Sequence, residues 1–98
     1  MEYPADILGF INKNFEPDQV TDVLSLLARA VLHDGKAPGH RVLRCALFAG
    51  RSDMEKLAYQ INLISIDYRD VIVAGEYELR EGDLVRVRDL SIHFPLDN

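Results

Sequence analysis

The side chains best suited to chemistry are Cys45, directly after Arg44, and the histidines His33, His40 and His93. A thiolate nucleophile needs a lowered thiol pKa and a base within reach. Arg44 could supply the first. His33 or His40 could supply the second only if the fold brings one of them to the thiol. No cysteine-enzyme motif surrounds Cys45, and a small side chain on an apolar helix face usually packs. No H-x-x-x-H or C-x-x-C spacing occurs, so neither a metal nor any other cofactor is expected. Asp67, Asp70, Glu76 and Glu78 offer carboxylates. Acid–base pairs need carboxylates in contrasting environments, which sequence does not display. These four read as helix caps and as one solvated strand face. There is no glycine-rich phosphate loop and no nucleophile elbow. The chain is therefore expected not to be an enzyme.

Charge is the next signal. The net formal charge is −5, unevenly spread. Residues 1–34 carry six acids and two bases. Residues 35–62 carry two acids and five bases. Residues 63–98 carry eight acids and four bases. A basic middle between acidic ends suits internal ion pairing, or a basic patch around Arg41, Arg44, Arg51 and Lys56 that meets an acidic partner.

These groups must be positioned by a small core. Ninety-eight residues, 48% of them apolar, make one domain spanning 1–98. The apolar runs fall far short of the ~20 residues that span a bilayer, so no membrane association is expected. The start, MEYPADILGF, lacks a basic segment, so no signal peptide is expected. A lone cysteine fits a reducing compartment, most simply the cytoplasm.

Hydrophobic spacing predicts a mainly α fold: a compact bundle of four to five helices with a small C-terminal β-hairpin. Pro4 and the i, i+4, i+8 series Ile7, Ile11 and Phe15 predict a helix over 4–14. Pro17, Asp18 and the stripe Val20, Val23, Leu24, Leu27 and Val31 predict a second over 17–33, stopped by Gly35. Residues 40–49 fit strand or helix. A helix separates Arg41, Arg44 and Arg51 from Leu43, Ala46, Leu47 and Gly50, and is preferred. Ser52-x-x-Glu55 is a capping box for a helix over 53–66. Asp67 can cap a short further helix through Val71–Ala74, although Val71-Ile72-Val73 favours strand. If 41–48 or 71–74 are strands, the class becomes α+β. The core is expected from Val20, Leu24, Leu27, Val31, Leu43, Leu47, Leu57, Ile61 and Ile64.

The tail alternates differently. Tyr77 and Leu79 precede a turn at Glu81-Gly82-Asp83, and Val85 and Val87 follow it, as in a hairpin. Arg86 and Arg88 would share one face and pair with Glu76 and Glu78. Past Arg88 the apolar phase slips to Leu90, Ile92 and Phe94, which predicts a bulge or an exit from the ribbon at Arg88-Asp89. Pro95 should end pairing.

An isolated hairpin is marginal in water and must pack on helices or on a second copy. The leading functional expectation is a small non-catalytic protein–protein interaction module, such as an adaptor, regulator or inhibitor. Its candidate contact residues are Tyr77, Arg80, Arg86 and Arg88, with Arg41, Arg44 and Arg51 second. The partner would be another protein with an acidic surface, or a second copy docked through the hairpin. One alternative is weak nucleic-acid binding by the 41–56 patch. A helix-turn-helix outline over 40–66 fits it superficially, but Asp53 and Glu55 on the reading helix oppose phosphate. The other alternative is the Cys45–histidine enzyme.

Overall fold

Helix α1 spans Ala5–Asn14, and Pro4 precedes it with its carbonyl accepting the N–H groups of Ile7 and Leu8. The computed structural model describes residues 3–94. The predicted spacing buries Ile7, Ile11 and Phe15.

Pro17–Gln19 form one 3-10 turn, and helix α2 spans Val20–Arg29. It ends about one turn before the predicted 33. Ala30 turns extended, and Leu32 exchanges hydrogen bonds with Lys36 and Gly35 across a tight turn. Gly35 takes φ +85° there, a conformation that favours glycine. Val31 consequently leaves the stripe and is exposed, contrary to its expected core place, while Val20 and Leu24 are half-buried. Val23, Leu26 and Leu27 carry the buried face instead.

Helix α3 spans His40–Ala49, so the strand alternative for 41–48 fails. Every residue from Val42 to Leu47 is buried, which marks α3 as the central element.

Helix α4 spans Met54–Glu76 and is broken at Asp67 (φ −156°, ψ 96°). Its cap is Asp53, whose Oδ1 accepts the N–H groups of Glu55 and Lys56 at 3.0 and 3.1 Å. The predicted Ser52 capping box does not form. Ser52 sits at φ +63°, and its hydroxyl donates to the Asn14 carbonyl at the end of α1 (2.8 Å). Asp67 does cap the second half, its Oδ1 accepting the Arg69 N–H at 3.1 Å. Helix thus prevails over the β-branched preference of Val71–Val73. The cap starts it, and burial of Val71 holds it.

The break folds α4 back onto α3. A Cβ on Gly50 would stand 2.5 Å from the Leu57 Cα, and one on Gly75 would stand 2.5 Å from the Cys45 Cα. On a straight helix, Leu57 and Gly75 would lie about 27 Å apart, yet their α3 contacts are only about 7.5 Å apart along its axis. Only a sharp bend allows both. Each glycine lets two backbones touch.

Strands β1 (Tyr77–Arg80) and β2 (Asp83–Arg86) form an antiparallel hairpin directly on the end of α4. The turn is the two-residue Glu81-Gly82, with φ +52° and +87°, rather than the predicted three residues. That shifts the register by one. Leu79 faces Leu84, Tyr77 faces Arg86, and Val85 faces Glu78. Val85 therefore lies on the opposite face from Tyr77 and Leu79. Beyond β2, the N–H groups of Val87 and Arg88 both donate to the Glu76 carbonyl, the two-against-one pattern of a bulge at the predicted exit. Leu90 and Phe94 then return to the core. Pro95 lies outside the described residues.

Among the described residues the result is four α-helices, one 3-10 turn and a C-terminal two-stranded hairpin. The Cα radius of gyration is 12.9 Å, that of a compact globule of this length. Among the described residues no helix is long and apolar enough to cross a membrane.

Candidate protein-binding site

The last residue of α4 organises the hairpin's base. Glu76 is fully buried, and four donors converge on its carboxylate. Arg41, on the first turn of α3, binds both oxygens (2.9 and 2.8 Å). Arg86 at the end of β2 reaches Oε1 at 3.0 Å, and the Leu90 N–H reaches Oε2 at 3.1 Å. The Cys45 thiol lies 3.8 Å from Oε2. Burial pushes the Glu76 carboxyl up, but the Arg41 guanidinium and the Leu90 N–H outweigh it and hold it below its ordinary range. One carboxylate thus fastens α3, the hairpin and the returning tail together.

A second clamp lies beside it. Arg44 is buried and binds Asp6 of α1 at 2.8 Å. Asp6 also accepts the Phe94 N–H at 2.9 Å, and Phe94 stacks on Phe10 with ring centres 4.0 Å apart. Burial raises the Asp6 carboxyl, and the Arg44 and Phe94 donors bring it below its usual value.

The seven arginine and tyrosine candidates fall into five places. Arg44 is interior and unavailable to a partner, unlike the outward edge expected for it. Arg41 and Arg86 are half-exposed but bound to Glu76, and Arg86 also pairs with Asp89 at 3.0 Å. Arg88 donates to the Gly75 carbonyl (2.7 Å) and to Glu78 (2.9 Å), and it lies over the Phe48 ring. Arg51 lies over the same ring and donates to the Phe48 carbonyl at 2.6 Å. Arg80 is exposed and pairs with Glu78 at 3.1 Å. Tyr77 is half-buried where α4 passes into β1. The predicted partners of Arg86 and Arg88, Glu76 and Glu78, are the observed ones.

What the sequence reading missed is apolar. Leu79 and Leu84 face each other across the hairpin and are 71% and 60% exposed. Single exposed leucines are ordinary, but a facing pair on a ribbon anchored by buried charge presents a continuous apolar step. The available signal was their equal spacing from Glu81-Gly82, a pair suited to a two-residue turn.

The chemical candidates do not converge. Burial and then the charge of Glu76 push the Cys45 thiol up to about 12. The exposed His33 lines an open groove of about 340 Å³ at the α4 break, with Ile64, Ile66, Asp67, Tyr68 and Arg69. Asp67 and Arg69 satisfy one another there at 3.1 Å. His40 is exposed, and His93 contacts the Phe94 carbonyl. Among the described residues no three His, Cys, Asp or Glu side chains group so as to hold a metal.

Comparison with protein-family profiles, with curated proteins and with solved structures returned no match.

Proposed function

We propose that the chain is a small non-catalytic protein–protein interaction module whose contact surface is the C-terminal hairpin. The carrying observation is the exposed Leu79–Leu84 pair on a ribbon fastened to the helices through buried Glu76. Rigid seating lowers the entropy lost on binding, and exposed apolar side chains supply the driving force. Arg80 and Glu78 rim the patch and set orientation. Arg41, Arg86 and Arg88 support the ribbon from within instead of touching the partner. The single cysteine is free and buried, which suits a reducing compartment, and we place the protein in the cytoplasm.

The other functions have less support. Nucleic-acid binding needs free cations, but Arg41 and Arg44 are spent on Glu76 and Asp6. An enzyme built on Cys45 needs a thiolate and a base, and the thiol is buried and held protonated.

The test is the double variant Leu79→Ser, Leu84→Ser. It should keep the parent's unfolding midpoint and weaken capture of a binding protein about tenfold or more. Unchanged capture by the folded variant rejects the hairpin as the contact surface.

A further inference from the structure

The free edge of the hairpin has an order of residues that fits itself. In an antiparallel ribbon, alternate residues turn both backbone groups toward the partner strand. The Glu76 carbonyl accepts from Val87, and the register pairs Glu78 with Val85 and Arg80 with Asp83. Residues 76, 78 and 80 therefore point their backbone groups inward, and Tyr77 and Leu79 point theirs outward. The Tyr77 N–H is already taken by the Val73 carbonyl at the end of α4. Among the described residues no hydrogen bond reaches the outward N–H or C=O of Leu79. A sheet edge with such unpaired groups is a template for another strand.

Resting on the interaction-module reading, we propose that the partner is a second copy of this chain, paired β1 to β1 about a twofold axis through Leu79. In that register Leu79 of each copy exchanges both backbone hydrogen bonds with Leu79 of the other. Glu78 of each copy then stands directly opposite Arg80 of the other, in the closer, non-hydrogen-bonded position where side chains meet. Both charges are at the surface: their side chains are 45% and 60% exposed. Sliding the pair by two residues would set Glu78 against Glu78, so charge selects the register. On one face of the resulting four-stranded sheet, Leu84, Leu79, Leu79 and Leu84 form one apolar row. The other edge lacks this fit. On β2 the outward residues are Leu84 and Arg86, and no antiparallel self-pairing there opposes unlike charges. A four-residue strand buries little area, so the association is weak and concentration-dependent.

Sedimentation velocity on the full chain over a concentration series tests this. The parent should pass from monomer toward dimer. Glu78→Arg and Arg80→Glu should each weaken self-association about tenfold, because two cross-strand pairs turn from unlike to like charge. An equimolar mixture of the two single variants should restore dimers. Positions 78 and 80 are then both basic in one chain and both acidic in the other, so each cross-strand pair is again unlike. Arg80→Glu keeps the Glu78–Arg88 pair, so it decides the matter if Glu78→Arg fails to fold. A parent that stays monomeric at every concentration, single variants that associate as the parent does, or a mixture that restores nothing overturns the proposal. If the parent is monomeric yet Leu79→Ser, Leu84→Ser still loses a different captured protein, self-pairing falls and the interaction module stands. If neither self-association nor capture responds to these changes, both fall.

Discussion

Arg41 at the start of α3 holds Glu76 at the end of α4 through two hydrogen bonds of 2.9 and 2.8 Å. Thirty-five residues separate them in the chain. This contact closes the helical layer and sets the angle at which the hairpin leaves it, because Arg86 and the Leu90 N–H share the same carboxylate.

Removing that acceptor should be costly. Glu76→Ala leaves the Arg41 guanidinium and the buried Leu90 N–H without their acceptor, and leaves Arg86 only Asp89. The expected loss is about 3 kcal/mol, the low end for a broken buried ion pair, because Arg41 and Arg86 stay partly in water. Urea unfolding measures it. A midpoint within error of the parent's would show that Glu76 is not the anchor.

Acid should act through the same groups. Glu76 and Asp6 both titrate below their ordinary values of 4.5 and 3.8 in the folded protein. The unfolded chain therefore binds protons first as pH falls. Their stabilisation is complete above those ordinary values and is lost as pH drops through the lower folded ones. Stability should be flat with respect to these carboxyls at neutral pH and fall below about pH 4.5, and Glu76→Gln should flatten part of that descent. A Glu76→Gln profile parallel to the parent's would remove Glu76 from the acid response.

The two close backbone approaches separate the glycines. Gly75→Ala would press a methyl group onto Cys45 and should destabilise by about 1–3 kcal/mol or more. Gly9→Ala, in the middle of α1 with nothing within 4 Å of the added Cβ, should stabilise by about 0.5–1 kcal/mol. Thermal melts of both proteins should move in opposite directions; a shared direction would contradict the bend at Asp67 that brings Gly75 onto α3.

Cys45 should be inert while the protein is folded. Its burial and raised pKa leave almost no thiolate at neutral pH. Labelling by an aromatic disulfide reagent should follow global unfolding, accelerating with urea as unfolding does. Rapid labelling of the native protein would reopen a chemical role for it.

The amino-acid order by itself pointed to the mainly helical class, to a first helix over 4–14 (Ala5–Asn14 in the structure), to helix in preference to strand at 40–49, to the cap at Asp67 and to the core positions Leu27, Leu43, Leu47, Leu57, Ile61 and Ile64. Each rests on local spacing or on a capping residue, which act within one or two turns of chain. The pairing of Arg86 and Arg88 with Glu76 and Glu78 was also anticipated, but not for the expected reason: the observed register sets Arg86 opposite Tyr77, and the bulge at Val87-Arg88 against the Glu76 carbonyl brings both arginines to their acids. Tertiary structure alone decided the rest. Arg44 looked like a surface charge because it shares a helix edge with Arg41 and Arg51, and only the return of the tail and Asp6 encloses it. Glu76 looked like one acid of a solvated strand, since nothing local reveals that Arg41 lies against it. Ser52 lost the cap to Asp53 because its hydroxyl meets the end of α1. The Leu79–Leu84 pair turned on one residue of turn length, and a shift of one residue moves a side chain to the other face of a ribbon. Long-range burial and register depend on which segments meet, and that is a property of the folded whole.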